Sequence, residues 1–417
     1  MRIVHFSDLH IGVENYGRLD PKTGLSTRMG DFLSAFDELV EYSLANGVDL
    51  VLFAGDAFKS REPKQTQQRE FAKRVARLAN EGVKVFLLVG NHDLPYAQAQ
   101  ATSIEIYDTL AVQNVTVSDR VGTWRVETKS GPVQVVGLPW PRRSALLTRN
   151  DTRTLTFDQI NEQMQGLLTE LLYKEALALD PSMPALLAAH VTVAQATVGS
   201  ERSMMIGNDH VLLLSNVARP EFDYVGLGHI HKTQVLRKSP PVVYSGSMQR
   251  VDFSEEKDPK GFYVVDLDPA LPQGQRVTDY RFHTVNARPF VTIDVDIPSD
   301  DPDPTATIVN RIQQSPVAEA VVRLRIKVAA DLDPMISDAE VRKTLAPAHF
   351  VAGISREVDR TRTFRLDGQA VDGMPPRDAL KAYLESSAES RGWSDSQVQE
   401  MLALGEGLIR ESLEPPS

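Results

Sequence analysis

Between Val48 and Phe58 the chain reads VDLVLFAGDAF, a nearly unbroken apolar run that ends on Gly55 and Asp56. A run this apolar fits a strand buried on both faces of a sheet, and the glycine marks the turn that closes it. Asp56 is then set on a strand's carboxyl edge, the edge where open α/β sheets bind ligands. A single strand-end aspartate is more often a loop cap, so the rest of the chain has to decide.

Two further strands repeat the pattern. Residues 2–6 read as a strand ending in Ser7, Asp8 and His10, followed by a long loop over 11–29. The spacing of Phe32, Leu33, Phe36, Leu39, Val40 and Leu44 predicts a helix over 31–45, stopped by Asn46-Gly47. A second helix over 64–80 leads to a strand over 83–89 that ends Gly90-Asn91-His92-Asp93. Three strands separated by helices thus deliver polar residues to one edge of an α/β fold. Later, residues 184–190 end on His190, and 222–227 run into Gly228-His229-Ile230-His231. The runs at 242–245 and 261–267 are expected to complete the sheet.

A chain of 417 residues is too long for one core. The expected divisions are a first domain over 1–285, a small α+β module over 286–335 or as far as 365, and a linker with a helical tail over 366–417. Within the module the order is strand, helix (305–313), strand. The tail places helices near 377–387 and 394–413. With 45 Lys and Arg against 56 Asp and Glu the formal charge is −11, which argues against coating nucleic acid by bulk electrostatics but leaves room for a local basic groove. The chain has no cysteine, so thiol nucleophiles and thiolate metal sites are excluded. The opening MRIVHFSDLH has no signal-peptide layout, and no apolar run reaches membrane length, so no membrane partner is expected and a cytoplasmic location is the default.

The strand ends supply Asp8, His10, Asp56, Asn91, His190, His229 and His231, an oxygen and imidazole donor set without sulfur. It suits Mn²⁺, Fe²⁺ or Zn²⁺ and is large enough for two ions, with Asp56 as the natural bridge. Residues two apart on an extended segment share a side, which pairs Asp8 with His10 and His229 with His231. His92 directly follows Asn91 and is expected to face substrate instead, protonating a leaving alkoxide or binding phosphate. Asp93 reads either as the carboxylate that orients His92 or as a turn cap.

In this order, SDLH, GD, GNHD, a lone His after an apolar strand and GHIH resemble the calcineurin-like metallophosphoesterases. The tract Tyr244-Ser-Gly-Ser-Met-Gln-Arg250, with Asp252-Phe253, Glu255 and Lys260-Gly-Phe262, is similar to the SbcD nucleases among them. The resemblance implies a β-sandwich flanked by helices, with a small α+β capping domain and a helical C-terminal tail. It implies two Mn²⁺ ions, with Mg²⁺, Fe²⁺ or Zn²⁺ as substitutes. Asp8, His10, Asp56 and His231 would hold one, and Asp56, Asn91, His190 and His229 the other, while His92 acts on the scissile phosphodiester. It implies a DNA nuclease of break repair, a 3′–5′ exonuclease on double-stranded ends and an endonuclease on single strands. An SbcC-type coiled-coil ATPase would be the partner, bound by the tail, and a homodimer the working form. Ala57, where a larger aliphatic residue is usual, and the long loop 12–29 depart from the pattern.

Arg61, Lys64, Arg142 and Arg143 are candidate DNA contacts. Arg69, Lys73, Arg74 and Arg77 read rather as a solvated helix face, with Arg77 and Glu81 at pairing distance. Two other functions fit parts of the pattern. A phosphodiesterase for small substrates would use the same metals but would not need the module or the tail. A non-catalytic scaffold subunit would need none of the strand-end donors.

Overall fold

The computed structural model describes residues 1–97, 100–142, 155–199, 211–359, 365–366, 369–370, 374–391 and 393–413. Strand β1 (Arg2–Phe6) is followed by helix α1 (Thr27–Ala45), β2 (Leu50–Phe53), helix α2 (Gln65–Asn80) and β3 (Lys84–Leu88). Next come β4 (Val115–Ser118), β5 (Gly122–Thr128), β6 (Gly131–Leu138) and β7 (Ala185–His190), with the short β8 (Thr192–Val193) and β9 (Val211–Leu212). The series ends with β10 (Tyr224–Gly228), β11 (Gln234–Lys238), β12 (Pro241–Tyr244), β13 (Gly261–Leu267) and β14 (Val277–Thr284).

These strands build two six-stranded sheets, ordered β14-β13-β1-β2-β3-β4 and β11-β12-β10-β7-β6-β5. The strands β1 to β4 run parallel, as do β6, β7, β10 and β12, and the strands outside these blocks are antiparallel. Alternation along each strand feeds two cores. Ile3, Leu50, Leu52, Phe86 and Leu88 of one sheet meet Val133, Val135, Leu186 and Ala188 of the other. Val4, Phe6, Val51 and Phe53 pack outward on Phe36 and Leu39 of α1 and Phe71 and Val75 of α2. The outer face of the second sheet, with Val136, Leu187 and Val225, lies under Leu168, Leu172 and Ala176 of the helix Phe157–Leu177. The apolar run over 48–58 is therefore covered on both faces, as its composition required. Truncating a side chain such as Leu52, which has no exposed surface, costs about 2–5 kcal/mol in a site of this kind.

The structure departs from the sequence reading in three ways. The runs at 242–245 and 261–267 do not complete one sheet: β12 extends the second sheet beside β10, and β13 pairs antiparallel with β1 in the first. Both runs are apolar and bounded by glycine or proline, so composition does not say which sheet they join. Helix α1 starts at Thr27 rather than 31, because the Ser26 side chain accepts from the Arg28 N–H and the buried Arg28 pairs with Asp31 at 2.6 Å. A buried arginine interrupts the apolar stripe from which the helix was read. The edge strands β11 and β14, and Phe350–Asp359 further on, escaped notice because their exposed faces weaken the alternation.

The strand, helix and strand expected over 288–328 are present as Phe290–Asp296, Pro304–Gln313 and Val321–Ala329. The chain divides into two compact units, Met1–Val295 with Thr305–Arg325 and Ser337–Ser355, and Asp296–Pro304 with Ile326–Ile336 and Arg356–Ser417. In the second, the helices Pro376–Arg391 and Asp395–Leu413 are joined by an Arg377–Glu406 ion pair of 2.6 Å. No helix among the described residues is long and apolar enough to cross a membrane.

One buried histidine gives the fold a pH signature. His5 of β1 reaches between the sheets, where its Nδ1 lies 2.9 Å from the Tyr224 hydroxyl, and burial lowers its pKa to about 3. The folded protein keeps the ring neutral, whereas the unfolded chain takes up a proton below about pH 6.5. Its stability is whole above that pH and is lost as pH falls toward the folded value. Between pH 7 and 5 the loss is about 2 kcal/mol. His5→Gln should remove that increment from the difference between urea unfolding curves at the two pH values; an unchanged difference would show that His5 is not the group responsible.

Candidate metal centre

The ends of β1 and β2 are laced together by backbone bonds from Asp8 N–H to the Gly55 carbonyl (2.9 Å) and from His10 N–H to the Asp56 carbonyl (3.1 Å). The Asp8 carboxylate then accepts the His229 N–H at 3.1 Å, which ties the first sheet to the end of β10 in the second. The side chains do not converge by extended alternation, as the spacing had suggested. Asp8, His10, Asp56 and His229 all have left-handed backbones, with φ of 52°, 47°, 64° and 95°. Each such residue costs about 1–3 kcal/mol and persists only where its surroundings over-determine it.

Two glycines make room for this packing. A Cβ on Gly55, whose φ is +98°, would strike the His190 ring and stand 2.9 Å from the Gly90 Cα. One on Gly90 would overlap the Asp56 carboxylate.

Asp56 is buried at the centre of the cluster. Its Oδ2 lies 3.4 Å from His190 Nε2 and 3.8 Å from His10 Nε2. On one side, His10 Nε2 faces His231 Nε2 at 2.9 Å and Asp8 Oδ1 at 4.0 Å. On the other, Asn91 Oδ1 lies 3.0 Å from His190 Nε2 and 3.1 Å from His229 Nδ1. Among the described residues, three overlapping groups have donor atoms within 4.8 Å of one another: Asp8, His10 and His231; His10, Asp56 and His92; and Asp8, Asp56 and His190. The structure thus brings all seven expected donors together, and it also puts His92 beside His10, with ring centroids 5.0 Å apart. Facing imidazole lone pairs around two buried carboxylates fit divalent cations, which neutralise what is otherwise a costly concentration of buried polar groups.

Three rings are steered by acceptors on the far side. His190 Nδ1 meets the Ala54 carbonyl at 2.7 Å, His92 Nδ1 the Lys59 carbonyl at 2.8 Å, and His231 Nδ1 the Glu255 carboxylate at 2.8 Å. An acceptor at Nδ1 takes the ring proton there and leaves Nε2 bare for a ligand. Without an ion, burial would raise Asp56, yet the imidazoles, His190 foremost, hold it well below the carboxylate range. Burial would lower His190, and the charge of Asp56 instead holds it up at about 9. Burial pushes Asp8 up and, with His231, drives His10 well down.

Asp93 does not steer His92. Its carboxylate accepts the N–H groups of Asp56 (2.9 Å), Ala57 (3.1 Å) and Gly90 (2.9 Å) and the Ser103 hydroxyl (3.0 Å). It clamps the turn after β2 to the turn after β3, and burial together with the charge of Asp56 lifts it to about 6. The His92 N–H is bonded to Asp56 Oδ1 at 2.8 Å. Of the basic residues, Arg61 lies over the Tyr96 ring at 5.2 Å, Lys64 is 75% exposed and 3.7 Å from Glu14, and Arg142 is half-buried. Arg143 lies outside the described residues. Arg77 pairs with Glu41 of α1 at 2.5 Å rather than with Glu81, and Arg69, Lys73 and Arg74 gather on Glu70. Sequence reasoning gave no role to Trp140, whose ring lies 4.6 Å from that of His229, or to Glu255; neither stands at an informative spacing from a donor.

The calcineurin-like phosphoesterase family matches residues 1–233, a span that holds every donor of this centre. The chain belongs to that family of metal-dependent phosphoesterases, in which divalent ions do the work. More particularly, it is 29% identical over 287 residues to the SbcD component of the SbcCD nuclease of Rhodobacter capsulatus, covering 64% of this chain and 66% of that protein. It is 26% identical over 327 residues to the DNA double-strand break repair protein Mre11 of Haloferax volcanii, covering 78% of this chain and 61% of that one. The match spans just under two thirds of these relatives' length. A solved dimetal phosphatase from Danio rerio overlaps it with a TM-score of 0.34 and 11% identity, over 64% of this chain and 92% of that one, too loosely to bear on function.

Gly55→Ala should lower Tm by several degrees and weaken Mn²⁺ binding, since the added methyl meets the ring of a donor and the residue must keep a positive φ. Differential scanning fluorimetry with and without Mn²⁺ checks it; an unshifted melting curve would mean that the turn relaxes freely.

Proposed function

We propose that this chain is the nuclease subunit of an SbcCD-like break-repair complex, hydrolysing DNA phosphodiesters with two Mn²⁺ ions. The observation that carries the reading is the convergence of seven donors around Asp56, with His92 beside them. Asp8, His10, Asp56 and His231 would hold one ion, and Asp56, Asn91, His190 and His229 the other. Such a pair supplies a clamp for the phosphate and an activated water for in-line attack. The protein's own residues do the rest. Asp93 fixes the two turns so that Asp56 stands between the donor groups. The Lys59 carbonyl holds the Nδ1–H of His92, so that a second proton taken up on Nε2 is the one the ring passes to the leaving alkoxide.

The relatives' names support DNA as the substrate. By the same likeness we assign the chain 3′–5′ exonuclease activity on duplex ends, endonuclease activity on single strands, a homodimeric state, a cytoplasmic location and an SbcC-type ATPase partner. Arg61, Lys64, Arg142 and Arg143 are assigned to DNA, and the helical tail to the ATPase.

The purified protein with Mn²⁺ should degrade end-labelled duplex and single-stranded DNA and stop in EDTA. His92→Ala should keep its metal by elemental analysis and lose at least about a hundredfold in turnover. Loss of metal in that variant would make His92 a ligand. Turnover of bis-para-nitrophenyl phosphate with DNA untouched, even beside an SbcC-type ATPase, would mark a small-substrate phosphodiesterase instead.

A further inference from the structure

Glu255 lies 24 residues beyond His231 in sequence and is as buried as the donors themselves, with 1% of its surface exposed. Its two oxygens have different company. Oε1 faces His231 Nδ1 at 2.8 Å. Oε2 accepts from Lys260 Nζ at 2.6 Å, from the Ser247 hydroxyl at 3.2 Å and from the Val251 N–H at 3.2 Å. Lys260 is itself buried, and its Nζ also donates to Ser247 Oγ at 2.7 Å and to the His231 carbonyl at 3.3 Å. Each of these three neighbours of Oε2 is a donor, so Glu255 is held as an acceptor on both arms.

Taking these contacts together with the proposed role of His231 as a ligand, we infer that the Lys260–Glu255 pair is a positioning device that fixes the His231 tautomer. The proton stays on Nδ1, and Nε2 keeps the lone pair it turns toward His10 Nε2, 2.9 Å away. His10 has no such device, since its Nδ1 finds no hydrogen-bond partner among the described residues. His231 of one ion position thus depends on a buried ion pair, whereas the His190 ring of the other depends on the Ala54 backbone carbonyl.

Glu255→Gln tests this because the new amide must choose. Its oxygen stays with Lys260 and the Val251 N–H, which turns its NH₂ toward His231 Nδ1. Nδ1 then has to accept, and the ring proton moves to Nε2, where it blocks ligation. Two-bond ¹H–¹⁵N spectra of the metal-free protein should show His231 protonated on Nδ1 in the wild type and on Nε2 in Glu255→Gln. Calorimetric Mn²⁺ titration should show one of two sites weakened about 10–100-fold in the variant. The same tautomer in both proteins, or two unaltered sites, would overturn the inference. If the variant does not fold, the wild-type spectrum still decides, since an Nε2–H His231 there contradicts it outright. Neither readout involves DNA, so a failure of the nuclease assignment would be seen separately.

Discussion

The carboxylate of Asp56 is the constraint to which the rest of the centre answers. It is buried where the edges of two sheets meet, and burying an anion there is tolerable only if cations or hydrogen-bond donors surround it. The surroundings comply from several directions. His190 and His10 approach its oxygens, the His92 N–H binds it, and Asp93 holds its own N–H. Asp56 keeps this position with a left-handed backbone that a loop free in water would not hold.

The sandwich explains how the centre can be both strained and stable. Parallel strands of both sheets end at it, and their apolar residues fill the cores between and outside the sheets. Burial on this scale fixes the strand ends, so the local cost of four left-handed residues is offset by packing far from the candidate ligands. The ring proton positions are set similarly, by acceptors outside the donor group: backbone carbonyls for His190 and His92, and an ion-paired carboxylate for His231.

Much of this was legible in the sequence. The candidate donors could be picked out because several apolar runs in succession end in polar residues, a repetition that one loop cap would not produce. The backbone route was not legible. Period-two reasoning paired Asp8 with His10 and His229 with His231, whereas the structure sets His231 against His10 and His229 against Asn91, through positive φ values at Asp8, His10, Asp56 and His229 that no spacing encodes. Sequence left Asp93 open between orienting His92 and capping a turn, and its contacts are those of the turn cap. Glu255 stood in the tract that suggested the family, but its bond to His231 depends on a fold-level approach across 24 residues.

The proposed two-metal hydrolysis at this centre requires that Asp56 be shared by both ions. Anomalous diffraction from crystals grown with Mn²⁺ would locate them directly. The expected map has two peaks about 3.5–4 Å apart on either side of the Asp56 carboxylate. One peak should be bounded by Asp8, His10 and His231 and the other by Asn91, His190 and His229. A single peak, or a pair that leaves Asp56 uncoordinated, would contradict it.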